Sequence, residues 1–497
     1  MALLNMNMLE DKDKIAALPE RALQFGEGNF MRGFVDWMIH KLNKNNLFNG
    51  RVVVVQPIEH GLADMLNAQD GLYTLLLRGI QNNEVVKEKE IISSISRVIN
   101  PYKQYEAYLE CAKNPDLRFI FSNTTEAGIA YSATDRYEDA PPASFPGKLT
   151  VFLHKRFEAF NGDPTKGMVI IPCELIEHNG DNLKKIVLRL ATEWNLGQDF
   201  INWLENHNYF LSTLVDRIVT GYPRDEIQEL TEEAGYEDKC YDTAEIFHLW
   251  VIQGDKRFSE ELPFTKIGLN VIWTDDMTPY RTRKVRILNG AHTMTSLGAY
   301  LYGVDTVKEC MDDPVIHKFM QKGIYEEIIP TLDLPEQELN EFAAAVADRF
   351  ANPYNKHYLL SISLNSTSKF KTRVLPSILE YIKRKNELPK VLSFSMACLF
   401  AFYRGTEIRD NVLIGKRALG NEYNISDDMP VLELFKELWT AYDETREGAG
   451  KLVNNLLART DMWGEDLTKL EGFADLVADY LYAITSKGVK EALKEVI

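Results

Sequence analysis

Residues 21–57 constrain the fold more than any other stretch, because they combine an apolar run, a glycine turn, an amphipathic segment and a second apolar run. The first run ends at Phe25 and is followed by Gly26-Glu27-Gly28. Large apolar side chains then recur near helical spacing, at Phe30, Phe34, Trp37, Met38 and Leu42. The second run, at residues 52–55, is β-branched throughout, as in a buried parallel strand. The pattern predicts a strand–turn–helix–strand unit with parallel strands.

The glycine turn of this unit is typical of a dinucleotide site. Glycines permit a tight turn and close approach of a pyrophosphate, and the helix N-terminus favours its negative charge. The third glycine of G-x-G-x-x-G is absent, because Met31 stands there, so an ordinary strand–helix turn is the alternative. Gln56 ends the second strand, where an acidic residue often binds the ribose, and Glu59 follows. No arginine follows to bind a 2′-phosphate, so we expect NAD, with NADP left open.

Strand and helix patterns alternate through the first half of the chain. Two further apolar runs, 117–126 and 167–172, predict buried strands with polar ends, where ligands bind in open sheets. Helical patterns accompany them, at residues 105–111, 148–160 and 182–194. The alternation predicts an α/β fold, a Rossmann-type doubly wound sheet with helices on both faces.

The patterning becomes almost entirely helical from Thr278, a good N-cap followed by Pro279. We therefore expect a dinucleotide-binding Rossmann-type domain over residues 1–277 and a mostly α-helical substrate and catalytic domain over residues 278–497. Two stretches with loop composition are predicted to be loops: residues 135–146 and 404–428.

Residues 284–292, K-V-R-I-L-N-G-A-H, place an amine, a carboxamide and an imidazole close together. At about 100° per residue, Asn289 lies about 140° round an α-helix from Lys284, and His292 about 80°. A partly desolvated lysine can exchange protons near neutral pH, and a carboxamide can donate a hydrogen bond to a developing alkoxide. The trio predicts a proton-transfer site for an alcohol–ketone pair, and three solvated helix residues are the alternative.

Two other stretches carry candidate ligand contacts. Asp216 and Arg217 lie together in an apolar stretch, and a structural salt bridge is the alternative reading. Lys369, Lys371 and Arg373 could form an anion site, with a solvated helix start as the alternative.

Charge and cysteine content argue against several classes of function. A net charge of −17 disfavours nucleic acid or an anionic membrane as the main partner, although a local basic pocket can still bind a small anion. The five cysteines are scattered, with no Cys-x-x-Cys pair and no Cys/His cluster of zinc spacing. We expect no metal site and the reduced thiols of a cytoplasmic protein. The sequence predicts neither a signal peptide nor a membrane span.

Seven segments between residues 26 and 369 carry a family resemblance. They are G-E-G-N-F-M-R-G (26–33), T-T-E-A-G (124–128), H-N-G (178–180), V-D-R-I (215–218), K-V-R-I-L-N-G-A-H (284–292), R-F-A-N-P (349–353) and S-T-S-K (366–369). In this order they resemble the mannitol dehydrogenase family of polyol-specific long-chain dehydrogenases. The resemblance implies a metal-independent, NAD-linked oxidoreductase with a Rossmann domain and a helical C-terminal domain.

The resemblance also implies residue roles. Lys284 corresponds to the general acid/base, Asn289 and Asn179 to carboxamides that hold the substrate oxygen, and His292 to a substrate-orienting histidine. The expected cofactor-binding residues are Phe25, Gly26, Glu27, Gly28, Asn29, Phe30, Gln56, Thr125 and Glu126. The expected substrate-binding residues are Asp216, Arg217, Lys369 and Arg373.

One departure bears on the substrate. Polyol-specific members tend to have an arginine eight residues before the lysine at 369, but Ser361 stands there, which disfavours a simple polyol. The resemblance itself implies a keto-acid of hexuronate breakdown as the substrate, with D-tagaturonate reduced to D-altronate, and fructuronate or fructose are alternatives. The candidates for holding its carboxylate are Arg32, Arg217, Lys371 and Arg373. A non-catalytic nucleotide sensor is the alternative from another class, and the chain is expected to be a monomer or a small homo-oligomer.

Overall fold

The computed structural model describes residues 1–81, 84–418 and 420–497. They form two compact units: residues 1–79 with 85–277, and residues 80–84 with 278–497. Within the described ranges, no helix is both long enough and apolar enough to cross a membrane.

Among the described residues, the strands fall into four sheets. In chain order they are β1 (Glu20–Phe25), β2 (Arg51–Val55), β3 (Tyr73–Gln81), β4 (Glu84–Ile92), β5 (Ile95–Ile99), β6 (Phe119–Ser122), β7 (Val169–Pro172), β8 (Tyr209–Phe210), β9 (Ser212–Asp216), β10 (Asp242–Ala244), β11 (Leu249–Gln253), β12 (Val271–Thr274), β13 (Ile408–Arg409), β14 (Val412–Lys416) and β15 (Glu422–Ile425). The largest sheet has the order β5-β2-β1-β6-β7-β8, with every pair parallel. The strands β2 and β5 are added on one side of β1, and the later strands β6, β7 and β8 are added on its other side. The strand order therefore reverses between β1 and β6, and ligands bind such sheets at the carboxyl ends of the strands that flank this switch point. The predicted doubly wound parallel sheet is confirmed.

Burial on both faces explains the β-branched run of β2. Successive strand residues point to opposite faces, so one strand supplies two cores. Val52 and Val54 pack in the core that contains Phe34 and Trp37 of the first long helix. Val53 lies in the opposite core. The smaller sheets of this unit have the orders β10-β3-β4 and β12-β11-β9.

Helices cover the sheet on both sides. The helical segments of the first unit are Met6–Met8, Lys12–Ala16, Asn29–Met31, Arg32–Asp36, Trp37–Lys44, Ala63–Ala68, Tyr105–Glu110, Cys111–Lys113, Phe145–Ala159, Pro164–Lys166, Asn179–Glu193, Gln198–His207, Ile227–Ala234, Phe258–Glu261 and Phe264–Ile267. Residues 29–44 form one continuous helix that contains a π-helical turn at Arg32–Asp36.

The second unit is mostly helical, as predicted. Its helical segments are Thr278–Arg283, Lys284–Asn289, Gly290–Tyr302, Val307–Asp312, Pro314–Lys322, Gly323–Ile328, Ile329–Thr331, Glu336–Phe350, Leu359–Ile362, Ser366–Arg373, Leu375–Lys385, Lys390–Phe402, Met429–Thr440, Arg446–Leu457, Thr460–Trp463, Leu467–Lys469, Phe473–Lys487 and Val489–Leu493. Lys390–Phe402 is almost wholly buried and packs against Gly290–Tyr302 and Phe473–Lys487.

The predicted loop at residues 404–428 is wrong for much of its length. The antiparallel sheet β13-β14-β15 forms there, while residue 419 lies outside the described residues. Tyr423 and Ile425 are buried while Glu422 and Asn424 are exposed, so β15 has the period of a half-buried strand. Four residues carry this alternation, too few to distinguish it from a polar loop.

Candidate functional site

The glycine turn lies at the carboxyl end of β1 and leads into the helix at Asn29. Gly26 has φ +111°, and a Cβ atom there would lie 2.6 Å from the carbonyl oxygen of Asn123. A Cβ atom built on Gly28 would have no other atom within 4 Å, which leaves room for close approach of a ligand. No side-chain oxygen caps this helix, so its N-terminus can accept an anion. These features fit the pyrophosphate of a dinucleotide.

Side chains beside the turn make contacts within the first unit. The Phe25 ring is fully buried and packs on Phe145 with 4.8 Å between ring centroids. The Phe25 backbone lies at the turn while its ring packs inside the unit, so the predicted cofactor contact of Phe25 stays a prediction for its backbone. Asn29 accepts a hydrogen bond of 2.6 Å from Arg32, and Phe30 lies beside Phe34 with 5.0 Å between ring centroids.

Glu27 and Gln56 connect the glycine turn to the loop after β2. Glu27 Oε1 accepts the Leu62 N–H at 3.3 Å, and burial raises the pKa of the carboxyl. Gln56 is 1% exposed, and its amide accepts from the Ala63 N–H at 3.2 Å. It also donates to the carbonyl oxygens of residues 58 and 59, at 2.8 and 2.9 Å. The Gln56 side chain therefore shapes the loop after β2, and its predicted cofactor contact stays a prediction.

The loop after β6 exposes Thr125 and Glu126, two of the predicted cofactor-binding residues. Thr125 has φ +70°, which is strained for a β-branched residue. The preceding Thr124 is bound through its N–H and its hydroxyl to the carboxylate of Glu174, both at 2.9 Å. Glu174 follows β7 and is a residue that sequence reasoning missed.

Asn179 is fully buried at the start of its helix. Its amide donates to the carbonyl oxygens of Pro172 and Glu174, both at 3.0 Å, and accepts the Thr213 N–H at 2.8 Å. In the structure the predicted oxygen-holding carboxamide therefore ties the ends of β7 and β9 together.

Asp216 and Arg217 lie at the end of β9. Arg217 donates to the carbonyl oxygens of Gly33 and Glu245, at 2.8 and 2.9 Å, and lies over the Trp37 ring. Burial lowers its pKa to about 9. Asp216 is buried as well. The Arg217 guanidinium is thus bound inside the first unit, and the substrate contacts expected of Asp216 and Arg217 stay predictions.

The lysine–asparagine–histidine segment is not a regular α-helix. Residues Lys284–Asn289 form a π-helical turn, in which the Gly290 N–H donates to the carbonyl oxygen of Val285, five residues earlier. One extra residue in a turn rotates everything after it back by about 100°, so Asn289 and His292 both come within about 40° of Lys284. The angles expected for an α-helix are corrected, and the trio gathers more closely on one face.

Two aromatic rings hold His292. Its imidazole stacks on Phe350, with 4.2 Å between centroids and 16° between planes, and meets His357 edge-on at 5.0 Å. Burial, together with the charge of Lys369, lowers the pKa of His357. His357 was missed in the sequence because nothing local distinguishes it.

Lys369 and Arg373 lie one turn apart on the helix Ser366–Arg373, which packs against both the π turn and Gly290–Tyr302. Lys369 donates to the carbonyl oxygen of Ile362 at 2.9 Å, and Arg373 reaches the Thr293 hydroxyl at 3.5 Å. Burial lowers the pKa of both, and for Lys369 the charge of Arg373 adds to the effect. In the described part of the chain, neither cation has a carboxylate at ion-pair distance.

The other cations proposed for the carboxylate lie elsewhere. Arg32 is buried and donates to the carbonyl oxygens of Glu27 and Cys240. The Lys371 side chain approaches Gly464. No group of three or more potential metal ligands occurs among the residues that the structure describes.

Comparisons with known proteins show the family of the chain. Residues 20–266 match the mannitol dehydrogenase Rossmann domain, and residues 276–485 match the mannitol dehydrogenase C-terminal domain. The chain is 51% identical over 480 residues to the altronate oxidoreductase of Escherichia coli O6:K15:H31 (strain 536 / UPEC), covering 96% of this chain and 97% of that protein. The altronate oxidoreductase of Escherichia coli (strain SE11) gives the same identity and coverage.

Two solved structures share the fold. The ternary complex of Pseudomonas fluorescens mannitol 2-dehydrogenase with NAD and D-mannitol has a TM-score of 0.64 at 22% identity, covering 97% of this chain and 95% of that one. A substrate-free D-sorbitol dehydrogenase has a TM-score of 0.77 at 21% identity, covering 96% of both chains.

Proposed function

The chain belongs to the mannitol dehydrogenase family of oxidoreductases, and from this membership we propose that it catalyses the NADH-dependent, reversible reduction of D-tagaturonate to D-altronate. The observation that carries the proposal is the 51% identity, over 96% of the chain, to proteins named altronate oxidoreductase. In the forward direction, the ketone carbon gains a hydride and its oxygen gains a proton. NADH is thereby oxidised to NAD⁺.

Bound NADH supplies the hydride. The protein must hold the nucleotide, orient the ketone and supply the proton. We assign the first task to residues 1–277 and the other two to residues 278–497. The glycine turn, with its open space above Gly28, supports the first assignment.

The loop after β2 favours NAD over NADP. Residues 57–63 contain no lysine or arginine that could pair with a 2′-phosphate. They include an exposed carboxylate, Glu59, which would repel that phosphate. Gln56 contributes indirectly, by hydrogen-bonding the backbone of this loop.

Lys284 is the proposed proton donor to the ketone oxygen, and the proton acceptor in the reverse direction. The π turn supports this role because it gathers Asn289 and His292 on the face of the lysine. The Asn289 carboxamide can then donate a hydrogen bond as negative charge develops on the oxygen. The rings packed on His292 hold its imidazole in one orientation, which supports a role in orienting a substrate hydroxyl.

Lys369 and Arg373 are the proposed partners of the substrate carboxylate. Like charges one turn apart on a helix repel each other, and within the described residues Asp427 attracts Lys369 only from beyond ion-pair distance. An anionic substrate would provide the compensation through charge-assisted hydrogen bonds. Arg32 and Arg217 are poor alternatives, since both are buried against backbone carbonyls.

The test is a spectrophotometric assay of NADH and NADPH oxidation with tagaturonate, fructuronate and fructose. We expect the highest kcat/KM for tagaturonate with NADH. Faster reduction of fructuronate would mean that fructuronate is the substrate. Comparable rates on fructose would show that the enzyme does not recognise a substrate carboxylate. NADH binding without oxidation by any keto-acid would favour a nucleotide sensor.

A further inference from the structure

We propose that Glu174 is a positioning residue, which holds the loop at residues 124–128 in the conformation that binds the reduced nicotinamide nucleotide. The proposal rests on the proposed NAD-linked function and adds a residue that carries no assigned role. It concerns the first unit alone.

Glu174 binds the start of this loop through both carboxylate oxygens. Oε1 accepts the backbone N–H and the hydroxyl of Thr124, both at 2.9 Å, and Oε2 accepts the Ser122 hydroxyl at 3.0 Å. The side chain is 2% exposed, and the donors around it are neutral. A buried carboxyl without a cationic partner is costly, so these three hydrogen bonds offset much of its desolvation.

The loop that Glu174 holds contains a strained backbone. Thr125, immediately after the double hydrogen bond, has φ +70°, and its β-branched side chain disfavours that region. Strain of this kind persists only where the surroundings over-determine the backbone, and it concentrates at functional sites. The Glu174 contacts to Thr124 supply that constraint on the N-terminal side. On the C-terminal side the Gly128 N–H donates to the Thr125 carbonyl oxygen at 3.0 Å.

The same loop adjoins the glycine turn. The Asn123 N–H donates to the carbonyl oxygen of Phe25 at 3.0 Å, and the Asn123 carbonyl lies where a side chain on Gly26 would collide with it. Both strand ends flank the switch point between β1 and β6. A shift of Thr124 would therefore be transmitted to the nucleotide-binding edge.

Glu174 is also fixed in its own position. Its carbonyl oxygen accepts a hydrogen bond of 3.0 Å from the Asn179 amide, which in turn accepts from the Thr213 N–H at 2.8 Å. The ends of β6, β7 and β9 thus form one hydrogen-bonded chain, and Glu174 is its link to the strained loop.

The experiment compares the full-length parent with Glu174→Gln, Thr124→Val and the control Glu138→Gln, which replaces an exposed carboxylate of the same unit. Glu174→Gln keeps the shape of the side chain but removes its charge, and it leaves one amide oxygen as acceptor where the carboxylate has two. NADH affinity is measured by fluorescence titration without substrate, and KM is measured separately for NADH and for the keto-acid. Thermal unfolding identifies variants that do not fold.

We expect Glu174→Gln to raise the Kd and KM for NADH about tenfold, roughly the effect of one lost buried hydrogen bond. The KM for the keto-acid should change little. Thr124→Val should also raise the Kd for NADH, by a smaller factor than Glu174→Gln. If Glu174→Gln does not fold, the NADH affinity of Thr124→Val tests the proposal instead. Unchanged NADH affinity in a folded Glu174→Gln variant, or an equal rise in both KM values, would overturn the proposal. A parent that binds NADH but reduces no keto-acid would refute the proposed function, while the titration would still test Glu174.

Discussion

The sheet edge of the first unit and the π-turn face of the second unit are built on opposite principles. At the sheet edge, Glu27, Gln56, Glu174 and Asn179 are all buried, and each has hydrogen-bond partners within the unit. The π-turn face comprises the turn at Lys284–Asn289 and the helix Ser366–Arg373 packed against it. There, Lys369 and Arg373 are only partly buried, and no carboxylate of the described chain lies at ion-pair distance from them. The contrast teaches that the sheet edge is preorganised by internal hydrogen bonds, whereas the face with Lys369 and Arg373 retains charge, as the proposed binding of an anionic substrate requires.

The largest effect is expected on kcat, and it tests whether the proton transfer takes place in the second region. Lys284→Ala should lower kcat roughly 10²–10⁴-fold, because general acid–base assistance typically contributes that much. NADH affinity should stay at the parent value if the two regions act separately. Stopped-flow turnover with fluorescence titration of NADH measures both, and a variant that reduces tagaturonate near the parent rate would remove Lys284 from the mechanism.

A smaller effect is expected on the KM for tagaturonate, and it tests the positive charge that Arg373 contributes to the second region. Arg373→Ala should raise the KM for tagaturonate roughly 10–100-fold, since hydrogen bonds to charged groups contribute about 1.5–3 kcal/mol. The matched control is Lys371→Ala, which removes a cation two residues away that approaches Gly464.

Neither variant should change the KM for NADH. Steady-state kinetics with tagaturonate and with fructose separates the carboxylate from the rest of the substrate. An equal loss on both substrates would mean that Arg373 does not bind a carboxylate.

The last prediction concerns stability instead of catalysis and tests Asp36, a buried carboxyl of the first unit. Asp36 accepts a hydrogen bond from Gln24 at 3.0 Å, and burial raises its pKa to about 7. Its pKa in the unfolded chain is about 4, so the folded state binds the proton more tightly. This contribution to the free energy of unfolding is full below about pH 4 and is lost as pH rises through 7, at up to about 1.4 kcal/mol per pH unit.

Asp36→Asn should therefore gain stability relative to the parent as pH rises from 5 to 8. Denaturant unfolding of both proteins across this range measures the difference. Asp242, whose pKa burial also raises to about 7, remains in both proteins, so its direct contribution is shared. Parallel pH curves for parent and variant would show that Asp36 is not protonated in the folded state near neutral pH.

Much of the fold follows from local periodicity. The β-branched run of β2, the glycine turn and the change to helical patterning near residue 278 each depend on neighbours in the chain. The lysine–asparagine–histidine trio was predicted for the same reason, since residue type and spacing suffice to propose it. The short strand β15 was missed because four alternating residues carry too little signal.

The sequence by itself determined which chemical groups the chain offers and which segments form strands or helices, because both depend on residue type and short-range spacing. Tertiary structure alone decided which groups are engaged in the interior. Asn179 meets Thr213 34 residues away, and Arg217 meets Gly33 184 residues away, so their roles depend on contacts that no local pattern encodes. The π turn at Lys284–Asn289 likewise depends on a backbone hydrogen bond between residues five apart. The spacing of side chains in the sequence does not reveal this bond, because it forms in the packed helix.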